Sequence, residues 1–147
     1  MITRAEFVKL IVELLKIKDN EVECNFTDVD KDAWYYPYVA SALKFNIVNG
    51  MGDGSFGTNL NIKRQDMAVM AAAAIELSKE LEIEYMNKFV GKTVEVLTEN
   101  NKDDITYGHT GNFLHVKINK VLPNDLLKMV KITSVSYPYV IGELIDE

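Results

Sequence analysis

Ile2-Thr3-Arg4-Ala5-Glu6-Phe7 returns 60 positions later as Ile62-Lys63-Arg64-Gln65-Asp66-Met67. Arg4 and Arg64 are the only two arginines, and they hold the same place in both copies. The apolar residues that follow keep step: Phe7, Leu10, Ile11, Leu14 and Leu15 against Met67, Met70, Ala71, Ala74 and Ile75. Spacings of three and four residues put each set on one helix face, predicted here as the buried face. A repeat of this length predicts stacked helical units that bury their interiors jointly. The chain therefore opens inside a repeat.

Local signals sharpen these helices. Thr3 and Glu6 have the spacing of a capping box, and the helix they open is predicted to reach about Ile17. The second copy lacks the box because Lys63 replaces the threonine; Asn61 is the candidate cap, and Asp66 favours the first turn. Pro37 fits the first turn of a helix and not its interior, so a further helix is predicted from Tyr36 to about Phe45, burying Val39, Ala42 and Leu43. Gly50, Gly52, Gly54 and Gly57 then demand unusual backbone angles, which predicts a structured turn before the last helix.

Beyond about Ile75 a helix is expected to continue to Lys88, with Leu77, Leu81 and Tyr85 on one stripe. The period then changes to two. Val94 and Val96, then Leu114, Val116 and Ile118, then Val130 and Ile132 alternate with polar residues, as half-buried strands do. Asn100 to Asp104, Pro123-Asn124-Asp125 and Tyr137-Pro138 supply turns. Four or five short strands predict a small closed barrel. The expected class is α+β: a helical module over 1–75, a helical linker over 76–88, and an antiparallel, OB-like β-barrel over 89–147.

Composition excludes several functions. The net charge is −6 over 147 residues. Residues 1–87 carry 9 Lys and Arg against 14 Asp and Glu, and residues 88–147 carry 7 against 8. Neither part has the basic excess of a typical nucleic-acid binder. Cys24 stands alone, so no intrachain disulfide and no cysteine-held cluster can form. Neither a signal peptide nor an apolar run of membrane-spanning length is visible.

Catalytic signatures are also missing. His109 and His115, the only histidines, would need further ligands or a nucleophile placed beside them to form a zinc or catalytic site, and a non-catalytic role is expected. Asp28, Asp30 and Asp32 suggest calcium, but the sixth and twelfth loop places hold Ala33 and Val39 where glycine and glutamate are needed. The glycine-rich turn is not followed by Gly-Lys-Ser/Thr. No enzyme, metal or cofactor is expected.

Phe26-Thr27-Asp28-Val29, Trp34, Asn46-Ile47-Val48-Asn49-Gly50-Met51-Gly52-Asp53-Gly54-Ser55-Phe56 and Ile62-Lys63-Arg64-Gln65-Asp66 together resemble the S-layer homology (SLH) domain. They fill the places of its F-x-D-V start, tryptophan, G-I-x-x-G-x-x-D-G-x-F turn and I-T-R-A-E helix opening. Asn46 and Lys63-Arg64-Gln65-Asp66 depart from that pattern. The resemblance implies one complete repeat from 26 to about 75, and a closing helix of a preceding repeat over 2–17. It implies binding of bacterial cell-wall polysaccharide, commonly pyruvylated and anionic, in grooves between repeats. Arg4, Trp34, Asp53 and Arg64 are the groove candidates it carries over. Arginine offers a planar fork for a carboxylate, and tryptophan an apolar face for a sugar ring. The alternative is that Trp34 is core, the arginines pair with local acids and Asp53 only shapes the turn.

Residues 75–146 resemble the TRAM domain of the radical-SAM tRNA methylthiotransferases. The likeness rests on Phe89-Val90-Gly91-Lys92, Val96-Leu97-Thr98-Glu99, Gly108-His109-Thr110-Gly111-Asn112-Phe113 and Ile141-Gly142-Glu143-Leu144. It implies a barrel that grips tRNA, with Lys92, Phe113, His115, Lys117 and Lys131 as contacts. A solvated barrel face is the alternative. Methylthiotransfer itself needs a cysteine motif that the chain lacks.

The two resemblances point to different compartments, cell surface and cytoplasm. They imply a joined chain, artificial or natural, that binds wall polysaccharide and tRNA without inserting in a membrane. The contrasting expectation is an assembly protein whose incomplete repeats pack into a homo-oligomer and bind neither ligand.

Overall fold

The computed structural model describes residues 1–145. It contains three helices followed by five strands: α1 (Arg4–Leu15), α2 (Tyr36–Lys44), α3 (Arg64–Asn87), β1 (Thr93–Lys102), β2 (Ile105–His109), β3 (His115–Ile118), β4 (Leu127–Ser136) and β5 (Tyr139–Leu144). Two compact units divide it, one over Met1–Lys79 and one from Glu80 onward, and α3 contributes to both.

In the first unit, α1 starts at the capping box. The Thr3 hydroxyl accepts the Glu6 amide, and Glu6 accepts the Thr3 amide at 2.7 Å. It ends at Lys16, whose left-handed backbone (φ 55°) lets its amide turn back onto Glu13 and Val12. Pro37 sits in the first turn of α2. α1 packs on α2, and Ala5, Val8 and Val12 of α1 are almost free of solvent, as are Val39, Ala40, Ala42, Ile47, Val48 and Phe56.

Two expectations need correction here. The predicted apolar face is buried only in part: Ile11 and Met70 are buried, whereas Leu10 and Leu14 are 59% and 81% exposed, and the repeat-equivalent Ile75 is 67% exposed. Val8 and Val12 are fully buried in the helix that packs on α2, and the leucines lie on an open groove lined by α1 and α3. Asn61 does not cap α3. It forms an antiparallel bridge with Thr3, flanked by the Arg4 amide on the Leu60 carbonyl and the Ile62 amide on the Ile2 carbonyl. The two copies of the repeated motif are thus paired to each other.

The second unit is a closed barrel with strand order β1-β2-β3-β5-β4. Four seams are antiparallel and the β3–β5 seam is parallel. Five strands in a ring cannot alternate direction at every seam, so the antiparallel barrel expected from sequence must carry one parallel pair. Irregularities at Thr98/Asn100 and Ile132/Ser134 bend the two long strands so that each serves two neighbours. Val96, Val116, Ile118, Val130, Ile132 and Val140 fill the interior with Leu114, Leu122 and Met86. Gly142 faces the same interior; a Cβ there would lie 2.2 Å from Val130.

Candidate ligand clefts

In the first unit, Asp28 organises the glycine-rich turn. Its carboxylate accepts the amides of Phe56, Gly57 and Thr58 at 2.6, 2.8 and 3.0 Å. Partial burial raises the Asp28 pKa, but the amides of Phe56, Thr58 and Gly57 outweigh it and hold the carboxyl below the usual value. The Phe56 carbonyl, fixed by this clamp, receives Arg4 Nε at 2.9 Å. Gly57 has φ +80°, and a Cβ there would press on Leu60 at 3.0 Å and Arg4 at 3.4 Å, so only glycine fits beside that guanidinium.

Arg4 is 5% exposed and all of its guanidinium nitrogens are engaged. Nη1 pairs with Asp66 at 2.9 Å, Nη2 reaches the Asn49 carbonyl at 3.4 Å, and the group lies 4.9 Å over the Phe56 ring. Beside it opens a cleft of about 280 Å³, whose rim includes Asn49, Gly50, Met51, Lys63, Gln65 and Asp66. The other three candidates lie elsewhere. Trp34 is half exposed and borders a separate depression with Lys9, whose Nζ stands 5.6 Å from the ring. Asp53 is exposed, and its carboxylate accepts the amide and hydroxyl of Ser55, whose hydroxyl in particular holds the acid below its ordinary pKa. Arg64 opens α3 with its side chain exposed and makes no ion pair among the described residues.

On the barrel, period-two alternation sends Tyr107 and His109 of β2, His115 and Lys117 of β3, and Tyr139 of β5 outward. Tyr107 and Tyr139 meet edge to face at 5.5 Å, His115 meets Tyr139 at 6.2 Å, and Lys117 Nζ sits 4.4 Å over Tyr139. Phe113, 79% exposed, stacks on His109 at 6.3 Å. Lys92 and Lys131 belong to the β1–β4 seam, where Thr93 pairs with Lys131; Lys92 Nζ lies 5.5 Å over Phe89. Three of the five barrel candidates therefore gather on or beside β3 and two do not.

The S-layer homology domain model matches residues 25–68. Over that stretch the chain is similar to the S-layer homology family. The chain is 35% identical over 92 residues to an amylopullulanase of Thermoanaerobacterium thermosulfurigenes, covering 63% of this chain and 5% of that protein. It is 33% identical over 79 residues to a surface-layer 125 kDa protein of Lysinibacillus sphaericus, covering 54% and 7%. An exoglucanase of Acetivibrio thermocellus is 36% identical over 76 residues, covering 52% and 7%. The matched stretch is thus a small part of each of these relatives.

Sequence reasoning did not single out Asp28, which fixes the turn beside the Arg4 cleft, or Lys63 and Gln65, which line it. Asp28 was read as a motif position and weighed as a calcium ligand, although an aspartate ahead of a glycine-rich turn is also an amide clamp. Lys63 and Gln65 were set down as departures from the family pattern. Their flanking of Arg64 was the available signal, since residues at a helix entrance face whatever docks there. Among the described residues, no helix is long and apolar enough to cross a membrane.

Proposed function

We propose that the first unit is a non-catalytic anchoring module for bacterial cell-wall polysaccharide, bound where the Asn49–Met51 loop meets the start of α3. The observation that carries this reading is the open cleft at Arg4. Buried Arg4 is a fixed positive group in its wall, Lys63 adds a mobile one at the rim, and Gln65 offers an amide. Asp66 offsets part of this charge, so the cleft suits a sugar strand with sparse acidic substituents. Trp34 with Lys9 forms a second apolar-and-cationic surface of the same chemical character. The test is co-sedimentation with purified wall sacculi: the chain is retained, and Lys63→Ala combined with Gln65→Ala lowers retention without altering its circular dichroism. Unchanged retention rejects this cleft.

The barrel's expected tRNA contact belongs to the proposal as its other arm. Support comes from Phe113, His115 and Lys117 clustering together. An electrophoretic shift with tRNA at low salt, weakened by Lys117→Ala with Lys131→Ala, tests it; no shift removes it.

Self-association is a second reading, favoured by one observation. The groove of about 390 Å³ lined by Phe7, Leu10, Leu14, Ala71, Ala74 and Ile75 is almost wholly apolar and open. Light scattering after size exclusion decides it: a concentration-independent monomer excludes this reading.

A further inference from the structure

The loop at the edge of the Arg4 cleft carries Asn49-Gly50, and among the chain's asparagines only Asn49 precedes a glycine. Both residues are exposed. Among the described residues, neither the Asn49 side-chain amide nor the Gly50 backbone N–H makes a hydrogen bond to protein. The loop is pinned at the next residue, where the Met51 amide donates to the Ser55 carbonyl at 2.8 Å. Gly50 cannot be exchanged, because a Cβ there would lie 2.7 Å from the Phe26 ring and 2.8 Å from the Ser55 carbonyl. On the other side of the dipeptide, the Asn49 backbone carbonyl accepts Arg4 Nη2 at 3.4 Å. The loop thus holds a free side-chain amide, a free backbone nitrogen and a buried cation within the same few atoms.

We propose that Asn49-Gly50 is a site of spontaneous deamidation whose products set a carboxylate against Arg4 and so close the cleft's fixed cation to an acidic ligand. The Gly50 nitrogen attacks Asn49 Cγ with no β-carbon of its own in the way. The N–Cγ bond forms, the Cγ–Nδ2 bond breaks, and the Gly50 proton leaves with the departing nitrogen as ammonia. Water then opens the cyclic imide. Opening at Cγ leaves aspartate. Opening at the former backbone carbonyl leaves isoaspartate: the chain now runs through Cγ, and the carbonyl that accepted from Arg4 has become a carboxylate. Either product adds a negative charge to a rim that already includes Asp66, and a carboxylate beside Arg4 competes with a ligand's acid for the guanidinium. Asp53-Gly54, in the same turn, has the sequence for the same cyclisation but is protected. Its carboxylate accepts the Ser55 amide at 2.9 Å and the Ser55 hydroxyl at 2.6 Å, which hold it ionised and without a leaving group. The reactivity belongs to the loop; its effect on wall retention rests on the polysaccharide reading above.

The full chain is aged in warm, mildly alkaline buffer made with heavy-oxygen water, then fragmented for mass spectrometry and probed with an isoaspartyl methyltransferase. Asn49 should take up solvent oxygen and accept methyl groups well ahead of every other asparagine, and Asp53 should do neither. Asn49→Gln, whose longer side chain closes a ring far less readily, should not change on ageing, whatever its starting retention on wall sacculi. Retention of the native chain should fall about fivefold from the fresh to the converted form. The NMR resonance of the Arg4 Nε–H, which moves when a carboxylate joins the guanidinium, reads the same event without the wall. Intact Asn49 after ageing, or equal labelling across the asparagines, overturns the proposal. So does full conversion that leaves the Arg4 resonance, or the retention of a chain the wall does hold, unchanged. If the fresh chain is not retained while label and resonance behave as expected, the site is supported and the wall reading alone is rejected.

Discussion

Arg4 Nη1 stands 2.9 Å from Asp66 Oδ2, and this pair ties the first turn of α1 to the first turn of α3. The two residues are related crosswise by the repeat: Arg4 corresponds to Arg64, and Asp66 to Glu6. In the first copy Thr3 engages Glu6 in the capping box. In the second, Lys63 stands in place of the threonine and offers no hydroxyl. Asp66 is left to accept from Arg4. One substitution in one copy thereby sets the contact between both.

Removing Arg4 should therefore destabilise the first unit. Arg4→Ala strips the Phe56 and Asn49 carbonyls of a donor and leaves Asp66 unpaired at 30% side-chain exposure. Breaking a largely buried pair of this kind costs about 3 kcal/mol. Arg4→Lys should recover part of that, because an ammonium can meet Asp66 but lacks the fork for two carbonyls. Urea unfolding followed by Trp34, the only tryptophan, reports on this unit alone. A loss under about 0.5 kcal/mol, the range of ordinary surface changes, would show that the guanidinium is dispensable.

Asp28 sets the acid limit of the same unit. Its folded pKa lies below the ordinary 3.8, despite burial, through the amides of Phe56, Thr58 and Gly57. A carboxyl with a depressed folded pKa contributes stability that is fully present above the unfolded value. That contribution is lost as pH falls through the folded value. Stability should fall below about pH 4 in the native chain. Asp28→Asn should cost about 2 kcal/mol at neutral pH and flatten the acid limb, because the amide no longer titrates. Parallel acid limbs in the two proteins would assign the acid sensitivity to other carboxylates.

What was legible in the sequence follows from what is local. Thr3, Glu6 and Pro37 fix helix starts through neighbours within one turn, and α1 and α2 begin where they indicate. Alternation marked Val96, Val116, Val130 and Ile132 as interior, and all are fully buried. Leu10 and Leu14 were misplaced because helical spacing gives an apolar face without saying whether a partner covers it. Asp28 and Arg4 were harder still. Their partners lie 28 to 62 positions away, and no short-range pattern encodes a contact over that distance.

Thr98 makes a comparable long-range contact in the barrel. Fully buried, it donates from its hydroxyl to the Pro123 carbonyl at 2.7 Å and accepts the Leu126 amide at 3.0 Å. It holds the connection between β3 and β4 against β1. Thr98→Val keeps the shape and orphans both groups, which costs about 2 kcal/mol. Thr98→Ser keeps the hydroxyl and should stay closer to the native chain. Hydrogen exchange at the Leu126 amide is the readout: it should accelerate in the valine variant and much less in the serine variant. Equal rates in the two would mean that the hydroxyl contributes nothing.

Arg64 provides the counterpart to Arg4, because the same repeat position is spent internally in one copy and exposed in the other. With no ion pair among the described residues to lose, Arg64→Ala should change stability by no more than about 0.5 kcal/mol. Its effect should fall on binding instead. A guanidinium that meets an acidic sugar substituent contributes a charge-assisted pair, and its removal should weaken retention on wall sacculi by about tenfold or more. Arg64→Lys should fall between, since a point charge replaces a fork. The two arginines thus separate folding from ligand: Arg4→Ala lowers the urea midpoint, whereas Arg64→Ala lowers retention at an unchanged midpoint. Retention that survives Arg64→Ala in a fully folded chain would confine the binding surface to the Lys63 and Gln65 rim and to Trp34.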